Sequence, residues 1–306
     1  MPEGPECYKC SQMLHRAFAG KRLVSVHIRG GRYAKHGKPA NFGAVESPDD
    51  VYFVEVSAKG KLIYMNLSND MTILSTLGLM GKWTRRPNTK HCDLAIEYAD
   101  PKKDTDKTMM MYFKDQIHYG TFSVISTSDL PKKLSTLGID VNDREGFTWE
   151  AFRVRARRNG KNTLPVFLMK QNVLCGIGNY LKAEIIYHAR ASVSSPLSDY
   201  NDEQLRRVYD ACYKIPYECT FGRRQLHVYN RSRDRVGNKV YTVKTPDKRT
   251  THWVPAVCPI DIRTDRPAVE CGYTDGSSYG DEAIGRSGGD GDGETDSSDS
   301  LYSVEE

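Results

Sequence analysis

Leu168-Met169-Lys170-Gln171, followed by Gly176-Ile177-Gly178-Asn179-Tyr180-Leu181-Lys182-Ala183-Glu184, is the stretch whose reading decides the architecture. Gly176 and Gly178 allow tight turning and close approach of another group to the backbone. Asn179 can open a helix that runs to Arg190. At such a helix start, free N–H groups and the helix dipole favour an anion such as phosphate. Taken alone, Gly-x-Gly-Asn is an ordinary turn between packed helices, so the flanking sequence has to decide.

The flanks are helical on both sides. Thr148 can cap a segment reaching about Arg158, Thr163-Leu164-Pro165 begins another, and a further helix starts near Asn201. Residues 238–253 read as a hairpin, with Pro246 at the favoured second position of its turn. Towards the N-terminus the pattern changes. Ser126–Glu145 is polar and turn-rich, which suggests a linker. Before it come short β-type runs: Leu23–Ile28, Val51–Val56, Leu62–Leu67, Met71–Leu74, Leu94–Tyr98, Thr108–Phe113 and Thr121–Ile125. Turns such as Gly30-Gly31 and Ser68-Asn69-Asp70 separate them, and many short strands at this spacing predict an antiparallel β-sandwich. Residues 3–19 read as a helix ended by Gly20. The fold class is therefore α+β and multidomain. A β-sandwich domain with an N-terminal helix spans 1–125 and a linker 126–145. A helical domain follows at 146–225, a hairpin at 226–262 and an acidic tail at 263–306, with disorder expected after about Glu270.

Of 306 residues, 39% are hydrophobic and 27% charged, as in a globular protein of about two domains. Eleven acids against one base from Glu270 onward give that stretch −10, so residues 1–269 carry +15 of the overall +5. A globular part this basic suits a polyanionic partner, although a basic surface alone is equally a solubility feature. No apolar run approaches the roughly 20 residues of a membrane span, and no secretory signal is visible. An intracellular, DNA-containing compartment (cytoplasm or nucleus) is expected, with no membrane partner. Of eight cysteines only Cys7 and Cys10 form a C-x-x-C, which lies in a helix; the thiols read as reduced and mostly structural.

Pro2 carries the chemistry. Removal of Met1 would expose a prolyl amine, and an N-terminal amine, with a reference pKa of about 7.7–8.0, has an appreciable neutral fraction at neutral pH. Such an amine can attack a sugar C1′ and form an iminium. Glu3 beside it could move protons. By itself, Pro at position 2 more commonly just starts a helix.

The terminus Pro2-Glu3-Gly4-Pro5-Glu6 resembles the mature N-terminus of the formamidopyrimidine-DNA glycosylase/endonuclease VIII family. The resemblance implies Pro2 as nucleophile, Glu3 as proton-transfer residue and Glu6 as a supporting carboxylate. It covers roughly residues 1–260. Within Ser57-Ala58-Lys59-Gly60-Lys61-Leu62 it places Lys61, with Lys59 as the nearby alternative, where the family has a phosphate-contacting lysine on a β turn. The 168–184 stretch looks like the family's helix-two-turn-helix, which implies DNA contacts at Gly176, Gly178 and Asn179. Val228-Tyr229-Asn230-Arg231 and Arg249-Thr250-Thr251-His252-Trp253-Val254-Pro255 follow the family's finger, with Arg249 as its phosphate-binding arginine.

Two departures are informative. The finger's metal positions read Val236, Lys239, Val254 and Val257, which cannot hold tetrahedral zinc. This resembles the zincless finger of some endonuclease VIII-like enzymes, in which apolar packing replaces the metal. His227, His252 and Cys258 match no standard zinc spacing, and no metal or other cofactor is expected. Residues that fill the hole left by an extruded base would be Leu79, Ile117 and Tyr119, with His118 among the DNA-binding residues; many relatives have Met, Arg and Phe at the filling positions.

The resemblance implies a monomeric bifunctional glycosylase and abasic-site lyase acting on damaged double-stranded DNA through β,δ-elimination. Relatives specialised for 8-oxoguanine carry a longer loop over the flipped base where Tyr217–Val228 is short here, so with the zincless finger the resemblance implies oxidised pyrimidines and ring-opened or hydantoin purines. A non-catalytic damaged-DNA-binding protein of the same architecture is the alternative. A small N-terminal-proline enzyme of the tautomerase type would need neither the +15 charge nor the helix-two-turn-helix.

Overall fold

The computed structural model describes residues 1–87, 90–102, 107–222 and 225–273. Helix α1 (Gly4–Phe18) starts at a reciprocal capping box between Glu3 and Glu6, with Pro5 in its first turn. Cys7, Ser11, Leu14, Ala17 and Phe18 form its buried stripe, and Gly20, at φ 71°, turns the chain away. The strands β1 (Arg22–Ile28), β2 (Val51–Lys59), β3 (Leu62–Leu67), β4 (Met71–Thr76), β5 (Lys82–Thr84), β6 (Cys92–Ala99), β7 (Thr108–Lys114) and β8 (Thr121–Ser126) follow. Short helices α2 (Gly31–His36) and α3 (Gly43–Glu46) interrupt the β1–β2 connection, where Gly30-Gly31 had suggested only a turn. Strand β5 was not anticipated; three residues are too few for a period-2 pattern to stand out.

The strands form one antiparallel sheet in the order β5-β7-β6-β1-β2-β3-β4-β8. Strand β2 belongs to both halves. It meets β1 only at Arg22↔Tyr52 and Leu23↔Val51, then continues along β3. Register shifts at Leu23/Ser25 and Phe53/Glu55 mark bulges at this corner, which bend strands. The sheet therefore folds over itself, and Ile63, Ile73, Phe122 and Val124 share one core with Leu94, Ile96, Met111 and Phe113. The expected sandwich is thus a single continuous sheet with two facing halves. Phe18 closes it, stacked on Phe53 at 4.4 Å and edge-on to Tyr98 at 4.9 Å.

The segment read as a linker is built rather than loose. It contains α4 (Leu130–Ser135) and β9 (Ile139–Asp140). Leu130 packs with Leu62 and Leu74, and Val141 enters the second core. Its apolar residues are spread thinly among polar ones, which hid them from a reading by composition. The second core gathers α5 (Trp149–Arg158), α6 (Leu164–Met169), β10 (Leu174–Cys175), α7 (Asn179–His188) and α8 (Asp202–Phe221). Thr148 caps α5 through Ala151 N at 3.2 Å, and an Asn201–Gln204 capping box starts α8. β9 pairs parallel with β10 and so ties the linker to the turn before α7.

The hairpin is β11 (Tyr241–Lys244) with β12 (Thr250–Trp253). Residues 263–273, assigned by composition to the tail, are folded: Ala268–Cys271 make a turn of 3-10 helix, Ala268 is buried, and Tyr273 packs edge-on to Trp253 at 5.3 Å. The expectation of disorder falls on residues that, from 274 on, lie outside those described. Among the described residues no helix is long and apolar enough to cross a membrane.

Candidate active site

The site forms where α1, the β2–β3 turn and the start of α7 converge. Gly4 N donates to Gly176 O at 2.8 Å, which seats the chain terminus on the glycine loop. Gln171 clamps that loop from inside: its side chain accepts from Gly176 N at 3.2 Å and donates to Ile177 O at 2.8 Å. Gly60, at φ 58°, turns β2 into β3, and its N–H is held by Asp140 at 2.7 Å. A Cβ at Gly60 would lie 2.8 Å from Cys175 Sγ, so the two domains meet there backbone to side chain.

Glu3 is fully buried, and its carboxylate accepts N–H groups from Gly178 at 2.7 Å, Tyr180 at 2.8 Å and Leu181 at 3.2 Å. At the α7 N-terminus, where the sequence suggested a place for phosphate, three N–H groups are thus taken by an anion from the same chain. Burial pushes the Glu3 carboxyl up to about 7, against the lowering pull of Lys61 and of the three N–H groups. Lys61 is half-buried beside it and displaced below the ordinary lysine range by desolvation, which Glu3 opposes. Both heads rest on Gly178: a Cβ there would lie 2.3 Å from Glu3 Cδ and 2.6 Å from Lys61 Nζ. Gly178 therefore serves close approach, as its residue type suggested. Glu6 accepts from Glu3 N at 2.8 Å and from the Tyr180 hydroxyl at 3.0 Å. Pro2, next to Glu3 in the chain, is half-buried, and Met1 before it is exposed.

The fold thus brings Glu3 and Lys61 together on Gly178, with Glu6 bonded to Glu3 N and to Tyr180, and Pro2 next to Glu3 in the chain. Such a cluster offers an amine, a carboxyl that exchanges its proton near neutrality and a half-buried ammonium. That is the equipment for covalent attack with proton transfer.

A family model described as the formamidopyrimidine-DNA glycosylase N-terminal domain matches residues 1–122. Endonuclease 8 of Escherichia coli (strain K12 / DH10B) is 28% identical over 219 residues, covering 71% of this chain and 78% of the relative. Formamidopyrimidine-DNA glycosylase of Lactococcus lactis subsp. cremoris is 23% identical over 222 residues, 70% of this chain and 77% of the relative. The chain is thus similar to the formamidopyrimidine-DNA glycosylase/endonuclease VIII family, through its first 122 residues in the family model and over about 70% of its length in these relatives. Its fold is that of the Lactococcus lactis enzyme solved non-covalently bound to DNA containing an abasic site. That match has a TM-score of 0.71 and 21% identity, and covers 84% of this chain and 99% of the other. A second structure of that enzyme, with DNA containing an oxidised pyrimidine, gives 0.70, 21% and the same coverage.

The other residues singled out in the sequence have surroundings of their own. Lys59 turns away from it and donates to Leu134 O in α4 at 3.0 Å, so it anchors the linker. Asn179 is the first residue of α7, not its cap, which is Gly178. Gly176 takes φ 100°, which favours glycine. Arg249 is exposed at the hairpin, close enough for its charge to act on Lys61. His118, at φ 57°, is paired through Nδ1 with buried Asp93 at 2.6 Å. Leu79 is half-buried, while Ile117 and Tyr119 are exposed. Their two loops touch, since a Cβ on Gly78 would meet Gly120 N at 2.6 Å and Tyr119 C at 2.8 Å.

At the finger, Val254 is buried with Val228 and Ala183, and Val240 and Val257 pack against them. Val236, however, is 78% exposed, so the packing uses Val228 and Val240 in its place. The neighbouring turn is held by Asp234, which accepts from Val236 N at 3.0 Å, Asn238 N at 2.8 Å and the Tyr187 hydroxyl at 3.0 Å. His227, His252 and Cys258 have separate surroundings: the His188 ring at 4.5 Å, the Tyr229 ring at 4.8 Å and Ile186 O at 3.8 Å. Among the described residues no three metal-ligating side chains converge.

Sequence reading passed over Tyr180, Asp140, Lys182, Glu184 and Asp247 as functional residues. A usable signal was present for two of them. Lys182 and Glu184 interrupt a helix that is otherwise apolar on all sides, and buried charges require partners.

Proposed function

We propose that this chain is a DNA glycosylase of base excision repair that also cleaves the abasic site it creates. The observation that carries the reading is the Glu3 carboxyl, buried against the start of α7 and raised to about 7, one residue from Pro2 and beside Lys61. The partner is double-stranded DNA with damaged bases or abasic sites. The names of the relatives, the DNA in the matching structures and the basic residues 223–249, nine bases to two acids, support this.

With Met1 removed, the neutral Pro2 amine attacks C1′ of the damaged nucleotide. The C1′–N bond breaks and the base leaves with its electron pair and a proton. Glu3, protonated near neutrality, supplies a proton as the sugar ring opens, and the Pro2 nitrogen then shares its lone pair with C1′ as an iminium. That cation acidifies the 2′ hydrogens. Loss of a 2′ proton expels the 3′ phosphate, a second elimination expels the 5′ phosphate, and water returns the amine. Lys61 holds a DNA phosphate beside the lesion, and Arg249 grips the backbone from the hairpin. Leu79, Ile117 and Tyr119 occupy the space vacated by the base. Oxidised pyrimidines and ring-opened or hydantoin purines are the favoured substrates.

Borohydride tests the reading. It should reduce the iminium and lock the protein to lesion DNA, and mass spectrometry should place the adduct on Pro2. A retained Met1 should abolish trapping. No adduct with any lesion duplex would favour a DNA-binding protein without catalysis, and attachment at Lys61 would refute the mechanism.

A further inference from the structure

Helix α7 is enclosed on every side, with Tyr180 through Ile186 all buried, yet it carries Lys182 and Glu184. Glu184 takes the backbone N–H groups of His227 at 2.9 Å, Val228 at 2.8 Å and Tyr229 at 3.1 Å, on the chain that leads into the hairpin. Lys182, with no exposed side-chain surface, donates to Asp247 Oδ2 at 2.7 Å, and the Asp247 side chain is 5% exposed. Asp247 lies in the β11–β12 turn, two residues before Arg249. Its other oxygen accepts from Arg249 N at 3.4 Å and from Thr245 Oγ1. Thr245 closes the ring: its N–H donates to Arg249 O at 3.1 Å and its hydroxyl meets Thr251 Oγ1 at 2.7 Å.

We propose that Lys182 and Asp247 are positioning residues that set where Arg249 stands relative to Pro2, and that this fixed spacing is what lets the hairpin and the cluster engage one DNA strand together. The inference rests on the reading of Arg249 as a phosphate contact. A buried ion pair is a poor route to stability, because desolvation of both charges offsets their attraction, but it is directional and tolerates little displacement. An apolar contact would let the hairpin slide, whereas a short link through Lys182 does not. The same helix that Glu3 caps at its first turn thereby carries the hairpin from its body. Two short links, Glu3 to Gly178 N and Lys182 to Asp247, and a longer one from Arg249 N to Asp247 at 3.4 Å join the nucleophile's neighbour to the arginine.

The test is equilibrium binding of the full chain to a duplex carrying a tetrahydrofuran abasic analogue, measured over a series of salt concentrations. Arg249→Ala should weaken binding about tenfold or more and lower the salt slope by about one phosphate contact. Asp247→Asn should reproduce both effects, and the double variant should be no weaker than Arg249→Ala alone. Additive losses, or an Asp247→Asn protein with the wild-type slope, overturn the proposal while leaving the Arg249 reading intact. Unchanged binding by Arg249→Ala overturns that reading, and the proposal with it. If Asp247→Asn does not fold, Lys182→Met with Asp247→Leu replaces the pair by apolar side chains of similar size. That protein should bind as Arg249→Ala does, and wild-type affinity and slope would overturn the proposal.

Discussion

The carboxylate of Glu3 accepts the N–H of Gly178 at 2.7 Å, across 175 positions of sequence, so the residue beside Pro2 caps the helix of the second domain. A helix start presents partial positive charge and unpaired donors. Here both are used on a side chain that burial drives towards its neutral form. The balance of those effects leaves a carboxyl that exchanges its proton near neutral pH.

This balance sets the pH dependence. Glu3 acts as an acid only while protonated, so single-turnover base excision should fall as pH rises through about 7. The Pro2 amine must lose its proton to attack, and its titration gives the opposing limb. Glu3→Gln should lose most base excision yet keep part of the lyase activity on ready-made abasic sites, which need no base departure. Stability follows the same titration. The folded pKa lies above the usual 4.5, so the folded state binds more protons between 4.5 and about 7. Stability from this group is fully present below about 4.5 and lost as pH rises through about 7. An excision rate flat across neutrality would remove Glu3 from the role of acid.

Lys61 lowers the Glu3 pKa through its charge. Lys61→Met should therefore move the falling limb of the pH–rate profile to higher pH, as well as slowing turnover about 10- to 100-fold through loss of a charged contact. A titration of Glu3 followed by carbon NMR reads the shift directly. A limb that stays in place would show that the two groups do not communicate.

Gly178→Ala tests close approach without touching a charged residue. The new Cβ would stand 2.3 Å from Glu3 Cδ and 2.6 Å from Lys61 Nζ, so both must move. We expect a loss in kcat of about 100-fold from misplacement, with a stability loss of about 1–3 kcal/mol. Gly160→Ala serves as control, because its nearest neighbour is Arg157 O at an ordinary 3.4 Å. Equal kinetics in the two variants would contradict the geometry.

The finger should be independent of zinc. Elemental analysis of purified protein should find far less than one equivalent, and a chelator should leave DNA cleavage unchanged. Val254→Asp would bury an unpaired carboxylate against Ala183 and Val228 and should destabilise the hairpin by several kcal/mol. One bound equivalent of zinc, or chelator-sensitive activity, would reverse this prediction.

Much of the molecule was legible in the residue order because local chemistry controls it. Pro5 and the Glu3–Glu6 pair start α1, Thr148 and Asn201 start α5 and α8, and the alternating runs from Leu23 to Ile125 become strands within a residue or three of where they were read. Pro2, Glu3, Lys61 and Arg249 could be named because their motifs are short and contiguous. Tertiary structure decided what depends on distance through space. It bent one sheet at β2 into two halves and folded Leu130 and Val141 into cores, so that the polar linker became a joint. It also brought Glu3 onto three N–H groups of the α7 N-terminus, and matched Lys182 with Asp247 across 65 positions. A sequence shows that a buried charge will need a partner; only the packed chain shows which one comes within hydrogen-bond reach, because burial and proximity are properties of the whole fold.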